Sequence, residues 1–152
     1  MKAVKSFKIG NLEIESKNDA IVWIKKTDQA VNNETNELIE RCAQELEEYF
    51  DGKRTRFEFP ISYEYGTPFQ KDVWSALKEI PFGEVITYKE LARRVRTENH
   101  SRAVANANGK NPISIVIPCH RVIESSGGIG GYSSGLDTKR FLLKIEGINL
   151  QN

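Results

Sequence analysis

The chain is poor in the residues that build metal centres and cross-links. Its 152 residues include only two cysteines, Cys42 and Cys119, and two histidines, His100 and His120. Neither cysteine belongs to a paired motif of the zinc or redox type, which argues against a disulfide framework. Two imidazoles cannot assemble a histidine-rich metal site. No metal and no cofactor are expected. Long apolar runs are also missing: nothing approaches the roughly 20 residues needed to cross a bilayer, and Met1-Lys2-Ala3-Val4-Lys5 leads into no secretory stretch. The expectation is a cytoplasmic protein with no membrane partner. Net charge is nearly absent too, at +1, so bulk electrostatics point to no partner. What remains is 39% hydrophobic and 28% charged, the balance of a globular chain long enough for one domain or two small ones that share the work.

The small net charge hides an uneven distribution. Residues 1–66 carry 10 basic against 13 acidic side chains, and residues 67–152 carry 12 against 8. Most of the basic excess lies between Thr87 and Lys110, where Lys89, Arg93, Arg94, Arg96, Arg102 and Lys110 face only Glu90 and Glu98. Such a cluster can attract phosphates, although a solvated helix face would read the same way.

Residues 1–65 read as a small supporting domain. Short β-like pieces, Val4–Phe7, Leu12–Ile14 and Ile21–Ile24, are separated by Gly10 and Asn18-Asp19, which predicts an antiparallel sheet. Leu38, Cys42, Leu46 and Phe50 repeat every four residues between acids, an amphipathic helix over 34–50 closed by Asp51-Gly52. Cys42 lies on that apolar stripe and reads as a small core residue. Phe57, Phe59, Ile61, Tyr63 and Tyr65 then alternate as a strand with one buried face, with Pro60 implying an edge or break.

From residue 66 onward the signals change. Thr67 as cap and Pro68 at the first position open a helix carrying Phe69, Val73, Leu77 and Ile80, which Pro81-Phe82-Gly83 ends. A Val85-Ile86 strand leads to Thr87-Tyr88-Lys89-Glu90, a capping-box pattern. A turn over 96–99 and a second short helix over 100–108, ended by Gly109, make a basic helix-turn-helix pattern. The β-branched run Ile113–Ile117 predicts a buried strand that delivers the chain to Pro118-Cys119-His120-Arg121-Val122. A glycine- and serine-rich loop, 125–135, follows. Asp137 is expected to cap a last helix with Phe141, Leu142 and Ile145, ended by Gly147.

Cys119 is the candidate nucleophile. A thiol attacks as thiolate, so it needs a neighbour that takes or stabilises the charge. His120 is adjacent, but consecutive residues on a strand point to opposite faces, so the two can cooperate only across a backbone turn or a water. The pair alone leaves a structural role open.

Pro118-Cys119-His120-Arg121-Val122, preceded by Asn111-Pro112 and followed by Ser125-Ser126-Gly127 and Gly130-Gly131-Tyr132-Ser133, resembles the signature of the O6-alkylguanine-DNA alkyltransferases. Gly66-Thr67-Pro68-Phe69-Gln70, Val73-Trp74, Pro81-Phe82-Gly83-Glu84-Val85, Thr87-Tyr88, Leu91-Ala92 and Arg102-Ala103-Val104 extend the likeness over about 66–147, while 1–65 match only in layout. The resemblance implies an α+β fold: a small N-terminal antiparallel sheet with a helix (1–65), packed on a mostly helical, winged helix-turn-helix-like alkyltransferase domain (66–152). It implies a monomer that binds double-stranded DNA containing O6-alkylguanine, and O4-alkylthymine less well, and takes the alkyl group irreversibly. Cys119 would be the acceptor, His120 its base through a water, Glu146 the group orienting His120, and Tyr88 the donor to the departing purine. Arg102 would fill the place of the extruded base, with Ser101, Ala103, Thr87 and Arg121 also toward DNA. Tyr132, Ser133, Val122 and Asn111 would form the pocket, Asn111 by holding the turn before the Cys119 segment. Ser114 stands where some relatives carry a proline against bulky adducts, which leaves the adduct range open.

Three other readings compete: a non-catalytic lesion binder, a helix-turn-helix regulator, and a Cys-His hydrolase. Cys119 argues against the first. Sequence preference among duplexes would mark the second, and repeated turnover the third.

Overall fold

The computed structural model describes residues 1–95 and 99–150. The chain divides into two compact units. One comprises Met1–Tyr65 together with Pro112–Ser114, the other Gly66–Asn111 together with Ile115–Asn152.

In the first unit, β1 (Lys2–Phe7), β2 (Gly10–Lys17) and β3 (Ala20–Lys26) form an antiparallel sheet in the order β1-β2-β3. The turn between β2 and β3 uses Asn18 and Asp19 at φ of 51° and 62°, the left-handed conformation that Asn and Asp tolerate best among non-glycine residues. Helix α1 (Glu37–Phe50) starts where the Asn36 side chain accepts from the Ile39 amide. It packs on all three strands and buries Ile39, Cys42, Leu46 and Tyr49. Ile39 occupies the place expected for Leu38, which is only half-buried, and the helix begins three residues later than its periodicity suggested. Cys42 is a core residue, its thiol pushed up by burial and by the charge of Glu45.

The alternating run Phe57–Tyr65 is not a strand. Its backbone pairs with β3 at a bridge between Ile61 and Ile21, with Ile21 N donating to Pro60 O and Ser62 N donating to Ile21 O, and the Tyr65 ring packs edge-on against Trp23. Pro60 has no N–H, so the ladder cannot extend back from Ile61 through that residue. The Ile113–Ile117 strand is likewise absent. Ile113 bridges Ile24 in the first unit, and Ile115 sits at φ 75°, a conformation that breaks a strand and is rare for a β-branched residue.

In the second unit, α2 (Pro68–Leu77) opens with a complete capping box: Gln70 N donates to the Thr67 hydroxyl while Gln70 Oε1 accepts from Thr67 N. Gly66 just before it is obligatory, since a Cβ there would lie 2.4 Å from the Trp74 ring and φ is 108°. Helix α3 (Tyr88–Arg94) is capped by the Thr87 hydroxyl, but the Glu90 carboxylate pairs with Arg93 and Arg94. Helix α4 (Ser101–Gly109) packs against α2 and α3. The Trp74 indole N–H crosses from α2 to the Ala107 carbonyl at 2.9 Å. Of the turn expected over 96–99, Arg96, Thr97 and Glu98 lie outside the described residues. β4 (Ile86–Thr87) and β5 (Val122–Ile123) pair in parallel, and α5 (Leu136–Ile145) ends the unit. Gly135 stands at the α5 N-cap with no side-chain cap bond, and Asp137 lies inside the first turn rather than capping it. The fold is the expected mixture of α and β elements. Among the described residues no helix is long and apolar enough to cross a membrane.

Candidate active site

Ile115 turns the chain, the Asn111 amide donates to the Ile117 carbonyl at 2.6 Å, and Pro118 leads into a single 3-10 turn, Cys119–Arg121. This turn resolves the objection that neighbouring strand residues face apart. Cys119 and His120 lie on a helical turn closed by Arg121 N donating to Pro118 O, so their side chains diverge less than on a strand.

Cys119 is 4% exposed and lines a cleft of about 370 Å³ with Tyr88, Ala105, Asn108, Tyr132 and Ser133. The volume falls in the range of small-molecule sites. A larger hollow of about 790 Å³ on the first unit is bordered by Lys17, Asp19, Asn36 and Arg41, with neither cysteine nor histidine in its lining; size alone does not locate the chemistry. Gly130 forms part of the cleft's surroundings: at φ 75°, a Cβ there would come within 3.3 Å of the Tyr88 ring.

Beneath the cysteine is a buried charge cluster. His120 is fully buried, and its Nε2 lies 2.7 Å from Glu146 Oε2. The same carboxylate accepts from Arg121 Nε at 2.8 Å and Nη2 at 3.0 Å, and from the Gly83 amide at 3.2 Å. Arg121 also donates to the Ile80 carbonyl. Burial lowers the His120 pKa, with Glu146 pulling it back up and Arg121 opposing that, so the ring is neutral at pH 7. With Nε2 committed to Glu146, Nδ1 is the nitrogen through which the ring can take a proton. Tyr88 is shifted upward by burial and then by the charges of Cys119 and Glu124, so it keeps its proton and can give a hydrogen bond.

Several expectations need correction. Arg121, expected toward DNA, is not a surface residue: it is 7% exposed and committed to Glu146 and Ile80. Val122 does not line the cleft: it is a fully buried β5 residue whose carbonyl is held by Lys139. Asn111, 1% exposed, stands behind the cleft and braces the turn before the cysteine, the place expected for it. Thr87 caps α3, Ser101 opens α4, and Arg102 and Ala103 are exposed in the first turn of α4.

Two residues escaped the sequence reading. Lys139 is fully buried, its ammonium donating to Val122 O at 2.7 Å and Gly131 O at 3.1 Å. Burial lowers its pKa to about 8, against an upward pull from Cys119. Its spacing was a signal: Lys139, Leu142, Leu143 and Glu146 recur at the helical interval and are all buried. Asn108 on α4 is buried by the same rule, in register with Val104 and Asn111.

Models of two families match the chain: the ribonuclease-like domain of 6-O-methylguanine DNA methyltransferase over residues 1–63, and its DNA binding domain over 68–148. The chain belongs to the 6-O-methylguanine DNA methyltransferase family. A methylated-DNA-protein-cysteine methyltransferase of Methanosarcina acetivorans is 50% identical over 124 residues, covering 82% of this chain and 78% of that one. A constitutive methylated-DNA-protein-cysteine methyltransferase of Bacillus subtilis is 42% identical, covering 88% and 81%. The crystal structure of Mycobacterium tuberculosis OGT in complex with DNA superposes with a TM-score of 0.87 at 34% identity, covering 95% of this chain and 91% of that one. One unit of the chain carries a cysteine at a cleft together with a buried imidazole-carboxylate pair.

Proposed function

We propose that this protein repairs DNA by direct reversal: it draws an O6-alkylguanine out of the duplex and transfers the alkyl group to Cys119. The observation that carries the reading is Cys119 at a 370 Å³ cleft, backed by the buried His120–Glu146 contact. A base stacked in a duplex hides its O6 substituent, so it must be extruded to reach such a sulfur. Exposed Arg102 on α4 suits the vacated place, and the small neighbour Ala103 permits a close approach to the minor groove. Reading there is degenerate, which fits damage in any sequence context. The second unit is assigned the DNA and the chemistry, the first a supporting role.

In the transfer, Cys119 passes its proton through a water to His120 Nδ1, and Glu146 steadies the imidazolium. The thiolate attacks the alkyl carbon; the S–C bond forms as the C–O6 bond breaks, and the electron pair leaves with the purine, to which Tyr88 gives a hydrogen bond or proton. Proton return from His120 through solvent leaves neutral guanine and a thioether. A thioether offers no leaving group, so each molecule acts once. The same reading makes the protein a monomer working in the cytoplasm, and extends with lower efficiency to O4-alkylthymine.

Incubation with a duplex containing O6-methylguanine, followed by peptide mass spectrometry, should place one methyl group on the Cys119 peptide and none elsewhere. Repeated turnover, or an unmodified Cys119 peptide, defeats the proposal.

A further inference from the structure

Tyr88 can assist the leaving purine only if its hydroxyl proton points into the cleft. A phenol is free to rotate, and a hydroxyl both donates and accepts. The orientation must therefore come from a neighbour that occupies its lone pair. Asn108, next to last in α4 and 4% exposed, is so placed. It lines the cleft with Tyr88 and Cys119. Its Nδ2 donates to the Cys119 carbonyl at 3.4 Å, which fixes the carboxamide at the wall of the cleft that Tyr88 shares. Among the described residues the amide oxygen of Asn108 is buried without a partner, so the N–H groups are the polar side of the carboxamide that faces the Cys119 carbonyl and the cleft.

We infer that Asn108 is a positioning residue for the alkyl transfer: by donating to the Tyr88 oxygen it turns the phenolic proton toward the bound purine, and it stabilises the phenolate that forms when that proton leaves. The inference rests on Tyr88 acting as the donor to the purine, as proposed above. It accounts for an otherwise costly feature, a buried carboxamide at a helix end, whose satisfaction depends on the carbonyl of the nucleophile's own residue and on the phenol. Burial, Cys119 and Glu124 push the Tyr88 pKa upward, and Asn108 pulls in the opposite direction, which is the sense needed by a group that must part with its proton during the reaction.

The inference separates two reactions of the same sulfur. Methyl transfer from O6-methylguanine needs help at the leaving group. Alkylation by iodoacetamide does not, because iodide leaves unaided. Asn108→Leu keeps the volume and removes the donors, so it should slow methyl transfer by about 10- to 100-fold, the factor carried by a hydrogen bond to a developing charge, while iodoacetamide alkylation of Cys119 stays within about 2-fold. Asn108→Asp, which at neutral pH offers Tyr88 only lone pairs, should slow methyl transfer at least as much and move the Tyr88 titration, followed by the ring carbon NMR shift, to higher pH. In a Tyr88→Phe background, Asn108→Leu should cost nothing further. Equal losses in both alkylation reactions, an unmoved Tyr88 titration in Asn108→Asp, or full additivity with Tyr88→Phe would overturn the role of Asn108. Unchanged methyl transfer in Tyr88→Phe alone would instead remove Tyr88 as the donor, and the inference with it.

Discussion

Replacing Glu146 by Gln tests whether the charge cluster beneath Cys119 holds the second unit together as well as serving the chemistry. The wild-type carboxylate accepts from the His120 ring, twice from Arg121, and from the Gly83 amide, and its side chain has no exposed surface. Gln is isosteric but presents only one acceptor oxygen; its amide nitrogen must face donors wherever it is placed. The Arg121 guanidinium then keeps the Ile80 carbonyl as its remaining named partner while staying 7% exposed. Removing one member of a buried pair costs about 3–5 kcal/mol, because the other charge is left uncompensated. For a chain of this length each kcal/mol moves the melting temperature by about 2–4 °C, so calorimetry should find Glu146→Gln melting roughly 6–20 °C lower. Adding Arg121→Met removes the stranded charge and should recover a large part of the loss. A single variant within about 1 kcal/mol of wild type would show that the cluster is hydrated and that its geometry does not govern stability. A double variant no better than the single would refute the charge argument while leaving the packing one.

Four further outcomes follow. Burial lowers the His120 pKa below its ordinary value of 6.5, so between that lowered value and 6.5 the unfolded chain binds a proton that the folded chain does not; stability should fall as pH drops through that window, and urea midpoints that do not change between pH 7.5 and 5.5 would contradict this. Lys139→Met removes the positive charge that interacts with Cys119, so the rise of Cys119 alkylation with pH should move to higher pH; an unmoved profile would take Lys139 out of the chemistry. Arg102→Ala should slow repair in duplex DNA more than reaction with the free base, and equal losses would remove its role in extrusion. Gly66→Ala forces a Cβ to within 2.4 Å of the Trp74 ring at φ 108°, so it should lower stability by at least about 2 kcal/mol and shift Trp fluorescence; a neutral result would mean that the turn before α2 relaxes.

Legibility in the sequence tracked how local the governing physics is. Turn residues Asn18-Asp19 and the Thr67-Pro68 cap state their conformations within two to four residues, and both elements formed where those signals lie. The two failed strands had the right alternation, but a strand needs a partner. Pro60 denies a ladder bond on the N-terminal side of Ile61, and the positive φ of Ile115 ends the other before it begins. In the site, Cys119, His120, Glu146 and Tyr88 were read from the motif, and the structure brings the imidazole and carboxylate into contact. Arg121 was placed toward DNA on the resemblance alone, whereas a guanidinium is also the group best suited to a buried carboxylate. Lys139 and Asn108 were passed over because polar residues on a helix are assigned to its wet face by default, although their spacing put them on the dry one.

The buried charges also bear on why the reaction runs once. With His120 neutral, Glu146 and Arg121 cancel, and Lys139 is the cation left beside the sulfur. On the proposed route, moving the Cys119 proton to His120 would create an imidazolium and a thiolate together, so the thiolate would form next to two positive groups. Alkyl transfer removes that anion permanently and puts a neutral, bulkier thioether where the residue was only 4% exposed. A catalyst with turnover would have to regenerate the anion, which requires a second nucleophile able to attack the thioether carbon. Glu146 is held in its pair, His120 is turned toward it, and the Lys139 ammonium is bound to two carbonyls, so on the proposed route these groups serve the forward proton transfer and none of the three is free to attack the thioether. An enclosed sulfur whose surrounding charges favour its anion is suited to reacting quickly a single time, and the same enclosure makes the alkylated product the less well accommodated state.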